Sequence, residues 1–358
     1  MFAPLKLLKV LAFDTSISLQ RVPVQLGDLV FLRYLSITQW FQDLDDVVSN
    51  NPNLETLVVS GNGAPTVHLP PSIWKPPHLR HLELGNSYLV DPPSVDKENL
   101  QTLSWVVRPL HCRREVYNKF PNIKNLKIFL KDDIEPNHIG GCCSYPIILD
   151  SFDYFKRLEK LSISVSIGCN VALPELDWFP SRLKKLNLSG TNISEGDLNV
   201  IAKFPNLMVL KLENAFHGIL WEVAQKGFRK LRFLLIEAKE LKQWIPKGLA
   251  RIYTLKSIEL EGCGSSLVAS AKQFQWDTGN SFVEAKGPTL HLPSRIWEPP
   301  HFCWLCCNPS KTVYVSFKTE VEVDGTNIYS CDLTVISMLA QLEVLIKLGM
   351  HSMERYGK

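Results

Sequence analysis

The sequence lacks the short motifs that commonly mark a nucleotide or catalytic site. Its 358 residues contain no GxxxxGK[ST] phosphate loop, no GxGxxG, no GxSxG and no HExxH. We therefore predict a binding protein and not an enzyme, with no catalytic residues, no metal and no cofactor.

Long apolar runs and an excess of one charge are also missing. The 39 basic and 36 acidic residues nearly cancel, leaving a net charge of +3, which argues against a nucleic-acid partner. No stretch approaches the roughly 18 apolar residues of a membrane span, and the N-terminus lacks the apolar core of a signal peptide. The nine cysteines are odd in number and dispersed, unlike a disulfide framework. We expect a cytoplasmic protein that binds other proteins.

What the sequence does have is a leucine repeat. The segment Leu29-x-x-Leu32-x-x-Leu35-x-Ile37 is the template, and eleven copies follow its pattern. Nine of the ten spacings between copies lie within the 20 to 29 residues of a leucine-rich repeat. The apolar residues that open the predicted strands are Leu11, Leu35, Leu57, Leu82, Leu103, Leu126, Leu161, Leu186, Leu210, Leu234 and Ile258.

This period predicts an α/β leucine-rich-repeat solenoid. In x-Leu-x-Leu-x the leucines share one side of a short strand, so neighbouring copies stack them into one core. We expect a curved horseshoe with a parallel concave sheet and, because proline recurs in the crossovers, an irregular convex side. The one long spacing, 35 residues, predicts an insertion on a connecting loop around residues 131–153.

The regular array is predicted over residues 1–263. Residues 65–82 match residues 288–305 at 11 of 18 positions, which indicates duplication of a repeat block. We therefore assign residues 264–307 to degenerate and duplicated repeats and residues 308–358 to an irregular C-terminal cap.

Two groups of metal-ligating residue types are better explained by structural roles. His78 and His81 have no third ligand nearby, and His301, Cys303, Cys306 and Cys307 have no cysteines at the matching positions of the first copy. Buried structural cysteines are favoured there, with zinc as the alternative. Cys263 lies three residues after Leu260, at the position where many leucine-rich repeats place Asn or Cys to hydrogen-bond the turn backbone.

The outward strand positions provide the candidate partner-binding surface. Lysines, predicted to lie in register, give way to glutamates along the array, which indicates either a solubilising surface or a two-signed patch that docks a complementary protein. We favour the patch because the signs are segregated. Its residues are Lys127, Phe129, Lys160, Lys185, Lys211, Glu213, Glu237, Glu259 and Glu261.

The segments 5–11, 29–37 and 69–82 resemble the repeats of plant intracellular immune receptors of the coiled-coil nucleotide-binding class, and above all nightshade-family late blight resistance proteins. The resemblance covers roughly residues 1–263. It implies sensing of a pathogen effector or a guarded host protein, autoinhibition against the receptor's own nucleotide-binding domain, and a hypersensitive response.

The coiled coil and nucleotide-binding switch of such receptors do not precede the repeats, so we expect a truncated product. The alternative function is substrate recruitment, as in the repeat domain of an F-box ubiquitin ligase adaptor.

Overall fold

The computed structural model describes residues 7–13, 24–61, 66–108, 114–131, 147–148, 152–165, 171–172, 179–223, 227–246, 254–278 and 282–286. The helices are α1 (Leu44–Ser49), α2 (Arg114–Tyr117), α3 (Glu195–Ile201) and α4 (Ser265–Thr278), with 3₁₀ turns at Val24–Asp28, Pro71–Trp74 and Phe152–Tyr154. The strands are β1 (Val10–Ala12), β2 (Tyr34–Ile37), β3 (Thr56–Val59), β4 (Val67–His68), β5 (His81–Leu84), β6 (Tyr88–Leu89), β7 (Thr102–Val107), β8 (Asn125–Leu130), β9 (Ile147–Ile148), β10 (Lys160–Val165), β11 (Val171–Ala172), β12 (Lys185–Ser189), β13 (Val209–Glu213), β14 (Leu220–Val223), β15 (Phe233–Glu237), β16 (Gln243–Pro246), β17 (Ser257–Glu261) and β18 (Phe282–Lys286).

The described residues fall into two compact units. The first holds residues 7–13, 24–61 and 69–84, and its strands β1, β2, β3 and β5 pair in parallel in that order. Its α1 buries Leu44, Val47 and Val48 and packs beside the 3₁₀ turn at Pro71–Trp74.

The second unit holds residues 66–68 and the described residues from 85 to 286. Its sheet runs β7-β8-β10-β12-β13-β15-β17-β18, with all of these strands parallel. Strand β4 pairs with β6, which joins β7, and two further parallel pairs, β9–β11 and β14–β16, lie outside this sheet. The predicted parallel repeat sheet is confirmed.

The register confirms the leucine alignment. Within the second unit, Leu126 pairs with Leu161, Leu161 with Leu186, and Leu186 with Leu210. These leucines are at most 3% exposed, and burying each contributes about 1.5–3 kcal/mol. The same register continues to Val283 of β18, opposite Ile258. The leucine pattern does not predict a strand there.

Most of the described segments that return from one strand to the next are short and irregular, as the prolines predicted; the exception is the 14-residue α4 between β17 and β18. Aromatic side chains fill the space beneath them. Phe152 stacks on Tyr117 with ring centroids 5.6 Å apart, and Phe179 lies 4.6 Å from Phe204. Trp221 and Trp244 of the β14–β16 pair lie 6.1 Å apart and are both buried. Rings therefore supply much of the packing beneath the described return segments.

The insertion is confirmed as a feature outside the main sheet. Strands β8 and β10 pair directly, from Asn125 opposite Lys160 to Leu130 opposite Val165, although 35 residues separate Leu126 from Leu161. The described part of the insertion includes β9, which pairs with β11.

The C-terminal predictions fall largely outside the described residues. Residues 264–286, predicted as a degenerate repeat, form α4 and β18. The duplicated block at 288–305, the group of His301, Cys303, Cys306 and Cys307, and the cap at 308–358 lie beyond residue 286. No helix among the described residues is long and apolar enough to cross a membrane.

Candidate protein-docking surface

The outward face of the second unit's sheet is organised in columns. Each core strand directs two apolar residues inward, so the positions before, between and after them face outward. Parallel pairing places equivalent positions side by side, about 4.8 Å apart per strand. In strand order from β8 to β17, the first column is Asn125, Lys160, Lys185, Val209, Phe233 and Ser257. The middle column is Lys127, Ser162, Asn187, Lys211, Leu235 and Glu259, followed by Glu284 on β18. The last column is Phe129, Ser164, Ser189, Glu213, Glu237 and Glu261.

The prediction that four lysines lie in register is wrong. Only Lys160 and Lys185 pair directly, in the first column. Lys127 and Lys211 belong to the middle column, opposite Ser162 and Asn187. The difference arises because Lys160 and Lys185 precede the strand-opening leucine whereas the other two follow it. The lysines therefore form a two-dimensional patch across β8, β10, β12 and β13.

Aromatic rings hold two of these lysines over the face. Lys127 Nζ lies 4.7 Å from the ring centroid of Phe129. Lys211 Nζ lies 5.8 Å from that of Phe233. Both distances suit a cation–π contact, worth roughly 0.5–1 kcal/mol at an exposed site. Phe129, selected from the sequence as a partner-binding residue, thus positions a charge.

Two polar groups that sequence reasoning missed lie between these lysines. Ser162 Oγ and Asn187 Oδ1 are shielded from solvent and make no hydrogen bond within the described part of the chain. They are neighbours in the middle column. A shielded polar atom without a partner costs roughly 1–3 kcal/mol. The signal available in sequence was that both residues occupy the x of Leu-x-Leu or Leu-x-Ile.

The glutamates form their own column at the carboxyl ends of β13, β15 and β17. Glu213 pairs with Glu237, and Glu237 with Glu261. Glu237 and Glu261 are only 9% and 6% exposed, and Asn214 Nδ2 donates to Glu237 Oε1 at 2.9 Å. Glu259 stands apart, in the middle column. The predicted change of sign is therefore sharp and runs through β13, which carries Lys211 and Glu213.

Cys263 supports the turn below the glutamates. The carbonyl oxygens of Ile236 and Glu261 both lie 3.3 Å from its Sγ and share the single S–H donor, which confirms the predicted backbone-bonding role. Burial raises the pKa of the Cys263 thiol, backbone hydrogen bonds with Ala238 and Glu261 oppose that rise, and the nearby carboxylates add to it. The thiol is therefore held protonated.

The face of the first unit has a different character. Its outward residues include Tyr34, Ser36, His81 and Glu83. Burial raises the pKa of Tyr34; a hydrogen bond with the Ser36 side chain lowers it, and Glu83 raises it further. His81 faces outward beside Thr56, and within the described residues no group of three His, Cys, Asp or Glu is arranged to hold a metal.

The stacked parallel strands, their buried leucine columns and their short return segments define a leucine-rich-repeat protein. The late blight resistance protein homolog R1B-13 of Solanum demissum is 27% identical over 307 residues, covering 75% of this chain and 25% of the relative. From the same organism, homolog R1B-16 is 28% identical over 303 residues, which cover 75% of this chain and 22% of that relative. Homolog R1B-23 is 27% identical over 308 residues, which cover 75% of this chain and 23% of that relative. No protein-family model matches the chain.

The chain is similar to these late blight resistance protein homologs, as the repeat phrases indicated. It spans about a quarter of the length of these relatives.

Proposed function

We propose that this chain is a recognition module for plant disease resistance. It binds a pathogen effector or a guarded host protein and contributes to a hypersensitive response as part of a complete cytoplasmic receptor. The observation that carries the proposal is the segregated outward face, with lysines on β8–β13 and glutamates on β13–β17. The similarity to resistance protein homologs supplies the biological setting.

Binding without catalysis is the chemistry that such a face suits. Its polar groups are spread over seven strands, about 29 Å across at 4.8 Å per strand step. A spread of this kind matches the footprint of a protein better than that of a small substrate. Opposite potentials on two facing surfaces steer the encounter and fix the orientation of the complex. The second partner implied by the family resemblance is a nucleotide-binding domain, which the repeats would hold inactive until an effector binds.

The test is reconstitution in leaf tissue. The full chain would be co-expressed with the coiled-coil and nucleotide-binding domains of a late blight relative and with matched pathogen effectors, and scored for co-precipitation and cell death. We expect binding to the nucleotide-binding domain or an effector, lost in the variant with Glu at Lys127, Lys160, Lys185 and Lys211.

The matched control changes four exposed basic residues outside the core strands to Glu: Lys156, Lys203, Arg229 and Lys242. Both variants alter the net charge equally, so the control should bind as the parent does. Binding to neither partner would refute the proposal. Capture of a ubiquitin-ligase scaffold in their place would favour the substrate-recruiting alternative.

A further inference from the structure

Three lysines of the outward face, Lys160, Lys185 and Lys211, form no ion pair within the described residues. The outward positions of β8, β10 and β12 contain no acidic residue. A partner with carboxylates would relieve the repulsion between these ammonium groups, most of all between the in-register pair Lys160 and Lys185.

Ser162 Oγ and Asn187 Oδ1, which lie between these lysines, are shielded from solvent, so a partner docked on the face does not reach them. The lysines are therefore the groups that select the partner, and they select for negative charge.

The spacing of the lysines sets the spacing of the acids. From Lys127 on β8 to Lys211 on β13 there are three strand steps, about 14 Å. An extended peptide advances about 3.3–3.4 Å per residue, and alternate side chains share a face. Three acidic residues at every second position span about 13.5 Å, which matches the distance across the patch.

We propose that the lysine patch of Lys127, Lys160, Lys185 and Lys211 binds an extended acidic peptide segment of a partner protein. The segment crosses the strands with Asp or Glu at every second position. Its carboxylates contact the four lysines. This inference rests on the proposed function and specifies the partner's chemistry.

The experiment measures binding of fluorescein-labelled peptides to the full chain by anisotropy, at about 50 mM and 200 mM salt. The probe has three Asp residues alternating with Gly. Comparison peptides replace Asp with Asn, or place the three Asp residues together. A short oligouridylate of equal charge tests for nucleic-acid binding. We expect the alternating Asp peptide to bind best and to weaken as salt rises.

Paired variants separate this site from general charge. Lys160→Glu with Lys185→Glu should weaken the peptide at least tenfold, and Lys156→Glu with Lys203→Glu less than twofold.

Three results would overturn the inference: no peptide binding at millimolar concentration, equal loss in the two double variants, or oligouridylate binding as tight and as sensitive to Lys160 and Lys185. If the peptide fails but the four-lysine variant still loses its partner in leaf tissue, only the acidic-segment inference falls. If the peptide binds and the leaf assay shows no partner, the proposed function falls instead.

Discussion

Gly190 and Gly262 allow a direct test of how closely the repeats are stacked. Both follow a core strand and both have left-handed backbones, with φ of +65° and +60°. A Cβ added at Gly190 would lie 2.6 Å from the backbone oxygen of Val165 on β10, whereas one added at Gly262 would have nothing within 4 Å. The two positions therefore share the conformational penalty and differ in the steric one.

The magnitudes follow from those two terms. Left-handed backbone costs an alanine roughly 1–2 kcal/mol. Pushing Val165 away adds about 1–3 kcal/mol, since backbone cannot rotate aside as a side chain can. We expect Gly190→Ala to destabilise its repeats by about 2–5 kcal/mol and Gly262→Ala by about 1–2 kcal/mol.

Amide hydrogen exchange of the full chain, followed by mass spectrometry, reports this locally. Peptides covering β10, β12 and β13 should lose roughly 30- to 5,000-fold of protection in Gly190→Ala, given tenfold per 1.4 kcal/mol. Peptides covering β15 and β17 should lose about 5- to 30-fold in Gly262→Ala. Equal losses, or a greater loss for Gly262→Ala, would refute the predicted close approach of adjacent repeats.

Further substitutions test other parts of the second unit. Gly218→Ala should destabilise by about 1–3 kcal/mol, measured by urea unfolding, because its Cβ would lie 2.1 Å from the Phe216 ring; an unchanged midpoint would contradict that packing. Ser194→Ala should cost about 1 kcal/mol in the same assay, because Ser194 caps α3 by accepting from Asp197 N, and no loss would mean that the cap is dispensable. Folding raises the pKa of the Cys263 thiol, chiefly because burial disfavours the thiolate. The stability that the protonated thiol contributes is therefore complete below about pH 8.5 and is lost as the pH rises through the folded-state pKa. Peptide-mapped alkylation of Cys263 should therefore be slower in the native than in the unfolded chain, and equal rates would contradict its burial.

The repeat sheet could be predicted because its cause is visible in the sequence. A Leu-x-Leu pair returning about every 24 residues fixes both the strand and the face it buries, and Leu126, Leu161 and Leu186 align as expected. Strand β18 lies within the predicted degenerate repeat, but its position was not marked because Val283 and Ala285 replace the leucine pair, while the register to Ile258 and Leu260 is preserved. Pairing tolerates smaller residues than the pattern requires.

The docking surface could be predicted only in outline. The change from lysine to glutamate was visible, but Lys127 and Lys160 occupy different columns because they stand on opposite sides of the strand-opening leucine. The burial of Glu237 and the unpartnered Ser162 Oγ depend on how neighbouring side chains cover them. No pattern along one strand carries that information, since the covering groups come from other repeats.

The most direct test of the docking surface is site-specific photo-cross-linking. A benzoylphenylalanine would replace Ser164, which faces outward on β10, and separately Lys203, which is exposed outside the core strands. Each chain would be co-expressed with the nucleotide-binding domain of a late blight relative and matched effectors. We predict a cross-linked partner at position 164 and none at 203. Cross-linking at 203 with equal or greater yield would contradict the assignment of this face as the recognition surface.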